Sequence, residues 1–164
     1  MSVHVEEVAD DLILYMRQHF RDQLAAVVSE TDARIPVGMP TAYYLGEYSR
    51  HTVYKLPVVF VVIATSEEGG KGNVSQWTHS CQVVFIMEGV EEQQLTRGAY
   101  RVGAAMWNTL HDRDITRAGV TARTATAKCR RLTYGPLLGK DRIFSKEIFL
   151  SITLSHTDLL TPIG

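Results

Sequence analysis

The sequence predicts an α+β fold: a mainly antiparallel sheet with two principal helices packed on it, in the order helix, three strands, helix, two strands. Two stretches repeat apolar residues at three-and-four spacing, as a helix with one buried side requires. Other stretches alternate in the manner of strands with one wet face, the most extended being RIFSKEIFLSITLSH from Arg142 to His156. Short turn-forming segments separate the strands, which favours antiparallel pairing.

The first helix is predicted over Val5 to Val28, with Val8, Leu12, Tyr15, Met16, Phe20, Leu24 and Val27 on its buried stripe. Asp10 and Asp11 lie in its first half, where carboxylates suit the positive end of the helix dipole. SETDARIPVGMP then breaks the pattern, because Pro36, Gly38 and Pro40 are incompatible with a helix interior. TAYYLGEY reads as a first strand and YKLPVVFVVIAT as a second, in which Pro57 can stand only at the beginning or on an edge. The continuous apolar run from Val58 to Ile63 implies burial on both faces. SEEGGKGN is a mobile turn by composition. VSQWTHSCQVVFIMEG follows as a long third strand that forms a hairpin with the second, and Trp77, His79, Cys81, Val83, Phe85 and Met87 share one of its faces.

EEQQLTRGAYRVGAAMWNTLHD is the second helix, with Leu95, Ala99, Val102, Ala105, Met106 and Leu110 as its buried stripe and Glu91 and Glu92 in its first turn. Gly98, Gly103, Ala104 and Ala105 make it thin enough for close approach to a neighbour. VTARTATAKCRRLTY alternates as a strand with one exposed face, and GPLLGKD turns the chain. In the closing strand Ile148, Leu150, Ile152 and Leu154 face one way, and Glu147, Ser151, Thr153 and Ser155 the other. There is no internal repeat or low-complexity tract, so residues 1–164 read as a single domain.

Composition narrows the function classes. With 45% apolar and 21% charged residues the chain matches a soluble globular protein, so wholesale disorder is not expected. The 17 Lys plus Arg nearly balance 18 Asp plus Glu, which offers nucleic acid no overall attraction, although a local patch remains compatible with the balance. No apolar run reaches the ~18 residues of a membrane span, and the acidic start MSVHVEEVADDL is unlike a signal or transit peptide. The expected place of synthesis and folding is therefore the cytoplasm. Cys81 and Cys129, far apart in two predicted strands, read as buried thiols rather than a disulfide framework.

Candidate chemistry is sparse. His79 and Cys81 share a strand face and can converge on a metal, but no second pair with suitable spacing follows, so both are expected to be core residues and no metal or cofactor is expected. HDRD, from His111 to Asp114, reads as a helix C-terminus and turn before it reads as an acid–base cluster. EEGGKG lacks the spacing of a phosphate-binding loop and leads into a strand, not a helix. KCRR, from Lys128 to Arg131, places basic residues on both sides of a strand, without the interleaved aromatics of a nucleic-acid platform. No G-x-S-x-G, H-E-x-x-H or Rossmann glycine pattern is present, and no catalytic residue is assigned.

KLPVVFVVIATSEEGG, WTHSCQVVFIMEGVEE, YRVGAAMWNTLHD and FSKEIFLSITLSH, in that order, resemble the tail-terminator and neck (tail completion) proteins of tailed bacteriophages over nearly the whole chain. The resemblance lies in element order and a Pro-led apolar strand. It implies a non-enzymatic virion protein, made in the host cytoplasm, that forms a homo-oligomeric ring, commonly a hexamer, at the head-proximal end of the tail. Such a ring ends tube polymerisation and joins the tail to the head connector. Its implied partners are further copies of itself, the tail tube protein and the connector or neck proteins. Phage DNA would pass through the channel without specific binding, and no membrane is involved. Glu67, Glu68, Gly69, Gly70 and Lys71 at the hairpin tip, with Arg130 and Arg131 on the basic strand, are the expected interface residues. The alternative from a different class is a small α+β ligand-binding module or enzyme with a concave apolar pocket.

Overall fold

The computed structural model describes residues 2–32, 34–35, 37–47, 55–70, 74–119 and 123–159. Helix α1 (Ser2–Ser29) is followed by β1 (Ala42–Leu45), β2 (Val58–Gly69) and β3 (Val74–Gly89). Helix α2 (Glu92–Leu110) leads to β4 (Arg113–Asp114), β5 (Arg123–Tyr134), β6 (Leu138–Lys140) and β7 (Ile143–Leu159). This is the predicted α+β order, with two short strands added beside the last two long ones.

The strands form one sheet in the order β1-β2-β3-β7-β5-β4, with β6 also paired to β7. β7 is central rather than terminal. It runs antiparallel to β3 from Phe144 opposite Gly89 to Leu159 opposite Val74. Its other side takes β5 from Ile148 to Asp158, and then β6 near its start. All neighbours are antiparallel except β1 and β2, whose parallel pairing runs from Ala42 beside Val58 to Leu45 beside Val61. The β6–β7 hairpin closes through Asp141 and Arg142 at φ 52° and 68°, the paired positive angles of a tight primed turn.

Both helices lie on one face of the sheet. Val8, Leu12, Met16, Phe20 and Leu24 of α1 join Leu95, Ala99, Val102, Ala105 and Met106 of α2 over the inward residues of the long strands. Phe20 meets Phe85 with ring centroids 5.8 Å apart. The thinness predicted for α2 is used at Gly103, where an added Cβ would fall onto the Tyr134 ring, its Cζ only 3.0 Å away. Glu91 caps this helix by accepting hydrogen bonds from the Gln93 and Gln94 amides at 3.1 and 2.7 Å. Arg101 is buried and donates to the carbonyl oxygens of Asp32 and Ile35, fastening the chain that leaves α1 to α2.

The opposite face is divided. Toward one end Val58, Phe60, Val84 and Ile86 form a second buried cluster, with Tyr44 stacked on Phe60, so the expected burial on both faces holds from Val58 to Val61, while Val62 and Ile63 are half-buried. Toward the other end the same face is polar and exposed, carrying Thr78, Ser80, Thr124, Thr126 and Lys128. The predicted mobile turn is shorter than composition implied. Glu67, Glu68 and Gly69 belong to β2, opposite Thr78, Trp77 and Gln76, because antiparallel pairing with β3 satisfies their backbone groups.

Candidate assembly edges and a buried histidine chain

The expected interface residues fall on two separate sheet edges. Glu67, Glu68, Gly69 and Gly70 are exposed at the far end of β2, and Lys71 lies outside the described residues. Arg130 and Arg131 are exposed on β5, at the other side of the same sheet. KCRR does not alternate to both sides as its spacing predicted. A bulge falls between Cys129 and Arg131, so Lys128, Arg130 and Arg131 all stay exposed while Cys129 is buried. Arg130 donates to Thr153 Oγ1 at 3.2 Å, which keeps it on the open face, and among the described residues neither arginine meets a carboxylate.

Each of these edges is half covered. β1 pairs β2 only as far as Val61, and the Gly46 amide then donates to the Val61 carbonyl. From Val62 to Gly69 no described strand pairs the outer side of β2. β4 pairs β5 only at Thr126 and Ala127. Beyond them the Cys129 amide donates to His111 Nδ1 at 3.2 Å, and no described strand pairs Lys128 to Tyr134 on that side. Unpaired strand edges are templates for another chain.

The helix-facing side of the same hairpin holds a feature that sequence reading reached only in part. His79 is buried, as expected, on the strand face it shares with Cys81, Phe85 and Met87. Its ring is one link of a hydrogen-bonded chain: Ser66 Oγ to His79 Nδ1 at 2.7 Å, His79 Nε2 to His156 Nδ1 at 2.7 Å, and His156 Nε2 to Asp158 Oδ2 at 3.2 Å. With both imidazoles neutral and the Asp158 carboxylate as acceptor, the one consistent proton order has His156 donating to Asp158, His79 to His156 and Ser66 to His79. The rings lie nearly parallel with centroids 4.8 Å apart, and Trp77 stacks beside them. Burial first, and then the neighbouring His156, push the His79 pKa down, with Asp158 opposing.

A serine backed by histidine and aspartate invites comparison with a nucleophile and its base. A surface depression of about 490 Å³ is lined by Glu92, Gln93, Thr96, Arg97, Tyr100 and Leu137, with Ser66 not among its walls. The chain instead ties β2, β3 and β7 together near the end of the hairpin. His156 escaped the sequence reading because it lies 77 residues from His79, and only the β3–β7 register brings them onto one face.

A second polar assembly adjoins the first. Arg123, opposite Asp158 in the β5–β7 register, pairs with Glu7 and with Asp11 Oδ2 at 2.7 Å, while Arg117 reaches Asp11 Oδ1 at 2.9 Å. Asp11 is buried, so its role is an ion pair across the helix–sheet junction rather than the helix-dipole interaction expected. Among the described residues no three His, Cys, Asp or Glu side chains gather to hold a metal. Cys81 and Cys129 are free and buried, each thiol pushed up to about 12, chiefly by burial. Ile152 of β7 separates them in the register, roughly two strand spacings or ~10 Å, so they are no disulfide pair. His111 ends α2, its amide bonded to the Trp107 carbonyl, and Asp114 turns the chain by accepting from the Thr116 amide at 2.9 Å, as the helix-end reading of HDRD expected.

No family model matches this sequence, and no curated protein matches it. Among solved structures, a chain from the virion of a native gene transfer agent (GTA) particle is similar at 12% identity and a TM-score of 0.41, over 85% of this chain and 94% of that one. At that level the likeness carries no argument about function. No helix among the described residues is long and apolar enough to cross a membrane.

Proposed function

We propose that this chain is a structural virion protein that forms a homo-oligomeric ring at the head-proximal end of a phage tail. There it stops tube polymerisation and offers its other side to the head connector. The observation that carries the reading is the pair of half-open edges on opposite sides of one sheet. A subunit whose two sheet edges are each left partly without a strand partner among the described residues can join copies of itself in sequence, and such an interface closes into a ring when its rotation closes. The resemblance in element order supplies the place and the hexameric expectation. The role is mechanical, and no catalytic residue is required. Exposed Glu67 and Glu68 and the basic residues of β5 serve the contacts between copies, the tube protein and the connector are the neighbours, and DNA passes without being gripped.

Antibody-labelled electron micrographs of particles from cells making this chain test the reading. Label at the junction of head and tail, together with tails of irregular length when the chain is absent, is the expected result. Label confined to the tail tip or the capsid, or particles lacking the chain, would remove the tail-terminator role.

A further inference from the structure

We propose that the open sheet face spanning β3, β7 and β5 lines the channel and is the surface past which duplex DNA moves. The inference rests on the ring reading and assigns its inner wall. From Gln76 to Gln82 on β3, from Ser151 to Thr157 on β7, and at Thr124 and Thr126 on β5, every side chain pointing away from the helices is Ser, Thr or Gln. The registers set them in rows across three strands, one being Thr78, Ser155 and Thr126. The block is about 20 Å long and about 10 Å wide by strand geometry. No Asp or Glu stands within it, although the chain has 18.

The charge around the block fits a polyanion that must not be held. Two rows end on β5 in Lys128 and Arg131, and Arg130 donates to Thr153 within the block at 3.2 Å. Glu67 ends one row on β2, and Asp112 and Asp114 share a hollow with Lys128 on the β4 side. Arg130 and Arg131 therefore leave the rows weakly positive. Duplex DNA carries one negative charge per about 1.7 Å of axis, so a wall rich in carboxylates repels it and a wall rich in Lys and Arg holds it through salt-sensitive contacts. Hydroxyl and amide groups donate to phosphate oxygens without neutralising them, so such contacts exchange easily as the duplex moves. The aromatic platforms that the block lacks serve unstacked single strands, not a duplex. The helix side is less suited, because its exposed residues include Glu6, Asp10 and Asp22 on α1 and Glu92 on α2, interspersed with Arg17 and Arg97. The block also lies between the acidic end of β2 and the basic part of β5, the two places read above as contacts between copies, so joined copies set their blocks side by side.

The experiment attaches an iron chelate to single introduced cysteines of the full chain in assembled particles and reads cutting of the packaged DNA. Native Cys81 and Cys129 are buried, which leaves labelling to the introduced thiol. Ser80→Cys and Thr126→Cys should cut the DNA, and Asp22→Cys on α1 and Gln93→Cys on α2 should leave it intact. Separately, Ser80→Lys combined with Gln82→Lys should slow DNA release by about tenfold at low salt and regain the wild-type rate as salt rises, because each added phosphate contact gives binding a salt slope of about −0.9. Cutting from the helix positions, no cutting from the sheet positions, or release indifferent to the added lysines would overturn this assignment and leave the ring standing. Absence of the chain from the junction of head and tail, read by antibody label, would overturn both.

Discussion

The helix-facing side of the sheet is built in two different ways along the same strands. At one end, the rows Val59, Phe85, Ile148 and Val61, Val83, Leu150 are fully buried hydrocarbon under Phe20 and the second half of α1. At the other end, Ser66, His79, His156 and Asp158 link three strands by directed hydrogen bonds, and Asp11 and Glu7 bind Arg123 across to the first half of α1. The difference is one of sensitivity. Apolar burial is non-directional and indifferent to protons, whereas the polar end depends on geometry, on charge state and on every partner being present. A single helix spans both regions, so the hydrocarbon end sets the global stability while the polar end fixes the register nearest the hairpin tip and the acidic edge.

Breaking the apolar end should cost most. Phe85→Ala removes a ring that is fully buried against Phe20 and should destabilise by about 3–5 kcal/mol, read from the denaturation midpoint at unchanged slope. Asp11→Ala comes next, at about 2–4 kcal/mol, because it leaves buried Arg123 with only Glu7, itself half exposed. The comparison sharpens if Asp11→Ala is measured with Arg123→Met. Loss in the single variant that is largely recovered in the double would show that the stranded charge, not the lost attraction, dominates. Ser66→Ala should cost about 1 kcal/mol, since it removes the first donor of the histidine chain from a partly buried position. A loss as large as that of Phe85→Ala would mean that the chain, not the hydrocarbon, organises the sheet.

The apolar end was readable in the sequence and the polar end largely was not. The three-and-four recurrence of Val8, Leu12, Met16, Phe20 and Leu24 and the alternation from Ile148 to Leu154 state their burial directly, because periodicity is a local property. Asp11 breaks no such pattern. Its burial depends on Arg123, 112 residues away, which in isolation reads as one more charged position on a strand. The β5 bulge was equally hidden: alternation sends Arg130 and Arg131 to opposite faces, and one extra residue in the β7 register returns both to the open face. The parallel pairing of β1 was missed because short connections favour antiparallel neighbours, and the link from β1 to β2 is longer than a hairpin turn. At the candidate site the sequence supplied the acidic tip and the basic strand, but only the sheet order puts them on opposite edges.

The smallest predicted effect separates the two ends most cleanly, because only one of them titrates. His79 sits buried beside His156 and Ser66, with the Asp158 carboxylate beyond His156 and Trp77 against the rings. Its pKa in the fold is lowered from the ordinary value of 6.5, so between the two values the unfolded chain binds more protons than the folded one. Neutral His79 therefore contributes its full stability above about pH 6.5 and loses it as the pH falls toward the lower, folded value. A first added proton on His79 can be housed by turning the Ser66 hydroxyl into an acceptor. A second would set His156 Nδ1–H against His79 Nε2–H, and the link at 2.7 Å would break. Acid should accordingly loosen the hairpin end before the apolar rows open. Amide exchange compared at pH 7 and pH 5, after correction for intrinsic rates, should show protection lost around Trp77 to His79 and Ser155 to Thr157, with Val83 to Phe85 and Ile148 to Leu150 unchanged. His79→Gln should flatten that difference, and equal loss of protection at both ends would show that the histidine chain does not govern the acid response.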